Sequence, residues 1–197
     1  MPLIPYADTD ALTGDASAVF DGLKYKLNIF RMMANAQTCF APALGLGNAI
    51  LSKQKLHKAL RELIILAVAR LEGGIYEWVQ HVPIGERAGC TAAQIAALEA
   101  LRFDDPAFDA PAKAMLRLVR EVVRDVKASE DAVGTANAHF SPQEIVEIIL
   151  TSGFYMTMAR LTETTRVDVD PPPGVTVPVW GKVSSAYETP AAATARN

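Results

Sequence analysis

The segment Leu63–Ala69, LIILAVA, contains no polar residue. A helix that is apolar all round has to be surrounded by other elements, so this stretch predicts a central buried helix with further elements packed on every side. Glu62 stands at its head, and Gly73-Gly74 gives it a C-terminal break. A second helix is expected over 75–88, ending at Gly89 and carrying Glu77 and His81 one turn apart. Placing carboxylates and an imidazole beside so much apolar surface costs solvation energy. The stretch from Arg61 to Gly89 therefore reads in one of two ways: a surface turn that carries charge, or a pocket with a proton-handling group.

The rest of the chain has to cover that helix, and its pattern is helical. Phe20, Leu23, Leu27, Phe30 and Met33 recur every three or four positions and predict one helix over 16–35. Pro42 opens an apolar segment over 43–51, and the central helix is expected from about 56 to 72. Pro83, inside the following helix, removes the hydrogen bond to Val79 and predicts a kink or loosened turn. Thr91-x-x-Gln94 is a capping-box pattern opening a short helix to about Leu101, and 103–109 reads as a linker. Met115, Leu118, Val119, Val122, Val123 and Val126 form a stripe over 110–127. A short helix is expected over 129–139. Ser141-Pro142-Gln143-Glu144 supplies a cap, a first-turn proline and a returning glutamate for a last helix reaching about Thr164.

No strand pattern precedes residue 166. The expected fold is thus an all-α bundle of six or more helices, with one helical domain over 1–166 and an extended Pro-rich tail over 167–197. Val177, Val179 and Trp180 are expected to lay the tail across a neighbouring subunit, and about the last ten residues to be disordered.

Composition narrows the function classes. The chain has 197 residues, half of them hydrophobic and 21% charged, which supports a sizeable core. Mean hydropathy is +0.15, and such apolar character predicts subunit contacts and a homo-oligomer. Net charge is −3 with no basic cluster, which argues against nucleic acid as a partner. No apolar run approaches the ~20 residues needed to span a bilayer, and the N-terminus lacks signal-peptide order. A cytoplasmic location without membrane association is expected. Cys39 and Cys90 form no C-x-x-C pair, and each is expected to be a small buried hydrophobe.

Several residues could carry chemistry. Glu62 is followed by Ile65, Leu66 and Ala69 on its own face, so burial would raise its pKa and suit it to proton transfer. Alternatively it complements the helix dipole or pairs with Lys58. The Glu77–His81 pair either fixes a catalytic imidazole or is an ordinary helix-surface pair. Tyr76 could donate to an oxyanion and Trp78 could wall a pocket, or both pack in the core. Tyr155, Met156 and Arg160 on the last helix could face the same space, Arg160 suiting a carboxylate substrate unless it lies on the surface. Glu62, Glu77 and His81 are also metal-ligand types, but no H-x-H or H-E-x-x-H pattern supports a metal. Nucleotide-binding and hydrolase-elbow motifs are absent.

These residues resemble the carboxymuconolactone decarboxylase family, which includes the AhpD-type alkylhydroperoxidases. The likeness rests on R-E-L-x-I-L-x-V-A, then Y-E-W-x-x-H, then a Gly-ended helix and T-x-x-Q-I, over 61–98. A looser likeness continues through EIVEIILTSGFYMTMARLTE. In the peroxidase branch a Glu, a C-x-x-C and a His form a thiol relay. The Glu matches Glu62 and the His matches His81, whereas the cysteine positions match Gly74 and Glu77. The resemblance therefore implies a branch without the redox thiols, in which peroxidase activity is not expected because no thiolate pair can cycle. It implies a cofactor-free enzyme with Glu62 and His81 in its site, acting on a small organic acid or lactone by decarboxylation, isomerisation or lactone opening. His81 or Glu62 would supply the proton, and Tyr76 would bind an enolate oxygen. It further implies a trimer or hexamer. Two other functions remain open: a thiol-dependent antioxidant protein using Cys39 or Cys90, and a non-catalytic oligomeric binding protein.

Overall fold

The computed structural model describes residues 1–180. Among these there are nine α-helices and no strand. They are α1 (Gly14–Asp21), α2 (Asn28–Met33), α3 (Gln37–Lys53), α4 (Lys58–Glu72), α5 (Ile75–Ala88), α6 (Ala92–Glu99), α7 (Ala110–Asp125), α8 (Glu130–Asn137) and α9 (Pro142–Thr165). A 3-10 turn, Thr9–Ala11, precedes them. None of the helices is long and apolar enough to cross a membrane.

Helix α4 is the hub. It packs against α5, α9, α7 and α6, and every residue from Glu62 to Ala69 is buried. The all-round apolar stretch thus has neighbours on each face, as its composition requires. The chain leaves α4 through Gly73, whose φ of 76° is left-handed and open to glycine at little cost. Gly74 N–H then returns to Ala69 O at 2.7 Å, closing the helix end and folding α5 back against α4. At the other elements the capping chemistry acts as its sequence dictates. Thr91 with Gln94, and Ser141 with Glu144, form reciprocal capping boxes at the starts of α6 and α9. Asp109 accepts from Ala112 N–H to open α7.

Four local expectations are corrected. The stripe over 16–35 is not one helix: α1 ends at Gly22 and α2 starts after Leu27, with exposed Lys24, Tyr25 and Lys26 in the bend. The stripe still faces inward, because the bend keeps Leu23 and Leu27 partly buried beside Phe20 and Met33. Helix α3 begins at Gln37, ahead of Pro42, which sits inside it. Buried Phe40, 6.2 Å from the Phe20 ring, fixes that first turn to the core despite the missing proline N–H. Pro83 lies within α5, where it was expected. Val126 leaves the α7 stripe: it caps the helix at φ 69° and is 79% exposed, while Glu121 turns to accept from Ser129 N–H. Finally, Cys39 is exposed on α3, whereas Cys90 is buried.

The segment after α9 has no regular structure but is not loose in its first residues. Val167 is buried, Asp168 pairs with the Met1 ammonium, and Asp170 accepts from Asn28 N–H. Trp180 packs edge-on against Trp78 of the same chain, with ring centroids 5.2 Å apart, and Arg70 covers its face. Trp180 is thus held against its own chain, while Val177 and Val179 are exposed. The expected disorder of the last ten residues lies outside the described residues.

Candidate active site

The centre of the site is a histidine held from behind. His81 Nδ1 lies 2.8 Å from Glu62 Oε2, and both side chains are buried. Glu62 Oε1 accepts from Arg61 Nε and Nη2, each at 3.3 Å. Lys58, the alternative partner weighed for Glu62, is thus replaced by Arg61, the neighbouring cation. The contact forms because the glycine turn folds α5 antiparallel onto α4, so that a group at the start of α4 meets one in the middle of α5. A carboxylate on Nδ1 selects the tautomer with the proton there and leaves Nε2 with a free lone pair. Nε2 has no hydrogen-bond partner among the described residues.

In front of His81 lies a cavity of about 580 Å³. It is walled by α5, α9, α3 and the α1–α2 bend. Among its lining residues, Gly45, Asn48 and Leu51 on α3 are exposed, which places the opening there. Glu77 and His81 share the α5 face that lines it, while Glu62 sits one layer back, behind the imidazole. Tyr155 presses edge-on against the imidazole at 5.0 Å between ring centroids and also lines the cavity. Its hydroxyl has no hydrogen-bond partner among the described residues. Burial, reinforced by the nearby Glu62 and Glu77 charges, raises the phenol well above its usual range, so it remains a neutral donor.

Glu77 is not the carboxylate that orients His81. Its two oxygens lie 3.1 and 3.2 Å from Thr162 Oγ1 on α9. That hydroxyl is also within reach of the Met158 and Ala159 carbonyls of its own helix. A hydroxyl has one proton to give, so when it points to a carbonyl, a protonated Glu77 donates to Thr162 Oγ1. Burial pushes the Glu77 carboxyl up to about 7, against the opposing effect of its own backbone N–H and of Thr162. The carboxylate folds back over Gly74. A Cβ at residue 74 would fall 2.6 Å from Glu77 Oε2 and 2.8 Å from Ala159 Cβ, so only glycine leaves that space.

The remaining expected residues divide. The Tyr76 ring lines the cavity, but its hydroxyl donates to Asp170 Oδ1 at 2.5 Å and accepts from Ile29 N–H at 3.4 Å. It is therefore committed to the segment after α9 and not free to hold an enolate oxygen. Burial, then the Asp170 carboxylate, raises it far above an ordinary phenol. Trp78 points to the opposite side of α5, into the main core and against Trp180, and lines no part of the cavity. Arg160 is half exposed and paired with Glu72 through Nε at 2.7 Å, away from the cavity. Met156 also packs against the main core. Thr162 and Asp170 carry the positions of Glu77 and Tyr76, and neither stood out in the sequence: one is a threonine in a polar run, the other an acid among prolines. Among the described residues no three of His, Cys, Asp or Glu are grouped so as to hold a metal ion.

The all-helical bundle, with α5 folded back on α4, has an AhpD-like fold. A crystal structure from Ralstonia eutropha, described as an AhpD-core, peroxidase-related protein, is similar over 86% of this chain and 92% of its own, at 19% identity and a TM-score of 0.74. An Agrobacterium tumefaciens protein of unknown function, assigned to AhpD-type antioxidant defence, is 26% identical over 71% of this chain and 96% of its own, with a TM-score of 0.64. A variant of the debrominase Bmp8 in complex with 2,3,4-tribromopyrrole shares the fold at 13% identity and a TM-score of 0.66, covering 85% of this chain and 91% of that one. No curated protein matches the sequence. The sequence model of the carboxymuconolactone decarboxylase family matches residues 40–121, which hold Glu62, Glu77 and His81.

Proposed function

We propose that this protein is a cofactor-free proton-transfer enzyme acting on a small organic molecule activated by a carbonyl, such as a lactone. The observation that carries the reading is the 2.8 Å contact of buried Glu62 with His81 Nδ1, which leaves Nε2 as a base beside a largely apolar cavity. His81 Nε2 would remove a proton from the carbon next to the carbonyl, and the electron pair would move onto the carbonyl oxygen. The Tyr155 hydroxyl is the donor available to that developing oxyanion, and Glu77, about half protonated near pH 7, would be a second where its proton turns from Thr162 to the ligand. The imidazolium, stabilised by Glu62, would return its proton to carbon, completing an isomerisation; protonation at the same stage would follow carbon dioxide loss in a decarboxylation. An acid and a base facing one largely apolar cavity is the arrangement such chemistry needs.

The family and the debrominase neighbour support a small-molecule enzyme. A thiol peroxidase reading is less well supported: Cys90 is buried, with its thiol pushed up to about 11, and neither cysteine lines the cavity. The test is proton exchange. A panel of lactones and ketones is incubated with enzyme in D2O and deuterium at the carbon next to the carbonyl is followed by NMR. Exchange that falls at least ~100-fold in His81→Asn supports the reading. Absence of exchange across the panel, together with thiol-dependent peroxide consumption lost in Cys90→Ser, would overturn it.

A further inference from the structure

The charges around the cavity restrict what can enter it. Its polar lining is Asn48, Tyr76, Glu77, Gln80, His81 and Tyr155, and no lysine or arginine is among the described lining residues. Arginines near the lining residues in sequence are engaged elsewhere: Arg31 with Asn28 and the Tyr6 ring, Arg61 with Glu62 and Arg160 with Glu72. Asp170 stands behind Tyr76, and Gln80 spends its amide N–H on the Asp170 carbonyl. A carboxylate entering this space would meet Glu77, with Glu62 and Asp170 behind it, and would lose its hydration with no fixed cation in return.

The rest of the wall is apolar. Leu27, Ile29 and Met33 face Phe154 and Met158 across the space, with Leu44 towards the opening. About 580 Å³ is the scale of a site for a drug-sized ligand. The polar groups that can address a ligand gather around His81: Glu77 and His81 on α5 and the Tyr155 hydroxyl on α9, with Asn48 apart from them at the opening. A molecule that satisfies both parts has one polar end and an extended apolar body.

We infer that the cavity takes an uncharged carbonyl compound, a lactone or ketone, whose apolar body fills the space between α2, α3 and α9 while its carbonyl meets His81 and Glu77. The inference rests on the proton-transfer reading only for the direction in which the ligand lies. It narrows the substrate class from an organic acid or lactone to a neutral, predominantly apolar one.

The experiment measures binding and turnover separately on the full chain. Displacement of the neutral dye Nile red reports affinities at pH 8 for δ-valerolactone, δ-octalactone, δ-decalactone and decanoate. Burial of the added carbons should tighten binding about fourfold per methylene, so by at least about a hundredfold from the five-carbon to the ten-carbon lactone. Decanoate, as long but charged, should bind at least about tenfold more weakly than δ-decalactone. Leu44→Lys, at a partly exposed lining position, should reverse that preference. If the variant does not fold, the wild-type series decides alone. A flat dependence on chain length, or tighter binding of decanoate by the wild type, overturns the inference. Selective lactone binding without any deuterium exchange would uphold the substrate class while refuting the proton-transfer reading. Exchange on short acids with no δ-decalactone binding would do the reverse.

Discussion

Glu77 is 3% exposed, and its carboxyl is pushed up to about 7 from an ordinary 4.5, chiefly by burial. Between those two values the unfolded chain has released the proton and the folded chain still holds it. Unfolding then releases a proton, so stability falls as pH rises, by up to about 1.4 kcal/mol per pH unit. By pH 8 the accumulated loss is about 3 kcal/mol, a large part of the 5–15 kcal/mol that typically holds a domain together. Glu77→Gln removes the titration and keeps the shape. Its amide can donate to Thr162 Oγ1 while that hydroxyl turns to the Met158 or Ala159 carbonyl.

The variant should therefore match the wild type near pH 4.5 and exceed it progressively up to pH 8, by about 3 kcal/mol, while losing activity. Urea unfolding followed by circular dichroism at five pH values from 4.5 to 8 measures the difference, provided the slopes with denaturant agree. Thr162→Val is an internal control. It removes a bond that lowers the Glu77 pKa, so its sensitive window should extend above pH 7. A stability difference between Glu77→Gln and wild type that stays flat, or shrinks with rising pH, would refute the reasoning, because it would mean that Glu77 is ionised in the fold throughout.

Gly74→Ala should cost about 1–3 kcal/mol in the same assay, since its Cβ meets Ala159 and the Glu77 carboxylate at less than contact distance. Arg160→Ala should change stability by no more than about 1 kcal/mol and leave KM for a carbonyl substrate unchanged, because the half-exposed Arg160–Glu72 pair lies away from the cavity; a large rise in KM would return Arg160 to the site.

The parts of this molecule that were legible in the sequence are those governed by local rules. The polar-free run Leu63–Ala69 dictated a surrounded helix, Gly73 a left-handed stop, and the two capping boxes the starts of α6 and α9. Glu62 and His81 were legible as candidates because desolvation makes charged residues near such a run unusual. What could not be read was which partner each charge would choose. Periodicity placed Glu77 and His81 on one face, and the i,i+4 rule then suggested that they bond to each other. The fold instead offered His81 a carboxylate from α4 and Glu77 a hydroxyl from α9, both non-local contacts. Trp78 and Arg160 were misplaced for the same reason. Their spacing from the site residues is compatible with facing the cavity, and only the packing of Trp78 against Trp180 and of Arg160 against Glu72 turns them away. Val126 fits the stripe of α7 by spacing alone, yet the helix ends one residue before it.

The two positions that match relay cysteines in the resembling peroxidases are not independent in this chain. Glu77 bends back over residue 74 and occupies the space that a side chain there would need, so glycine at 74 and glutamate at 77 support each other. Restoring a cysteine at 74 alone would press its Cβ against the Glu77 carboxylate and the α9 backbone. Replacing Glu77 first would vacate half of that space, although Ala159 would still confine it. The carboxyl that results from this exchange is also left without a cation. Glu62 has both Arg61 and His81 within reach, whereas Glu77 has a hydroxyl and, further off, the like charge of Glu163. The surroundings of Glu77 therefore favour its neutral form, and the same steric fit that crowds a first cysteine holds that carboxyl against Thr162 of α9, beside the cavity that His81 lines.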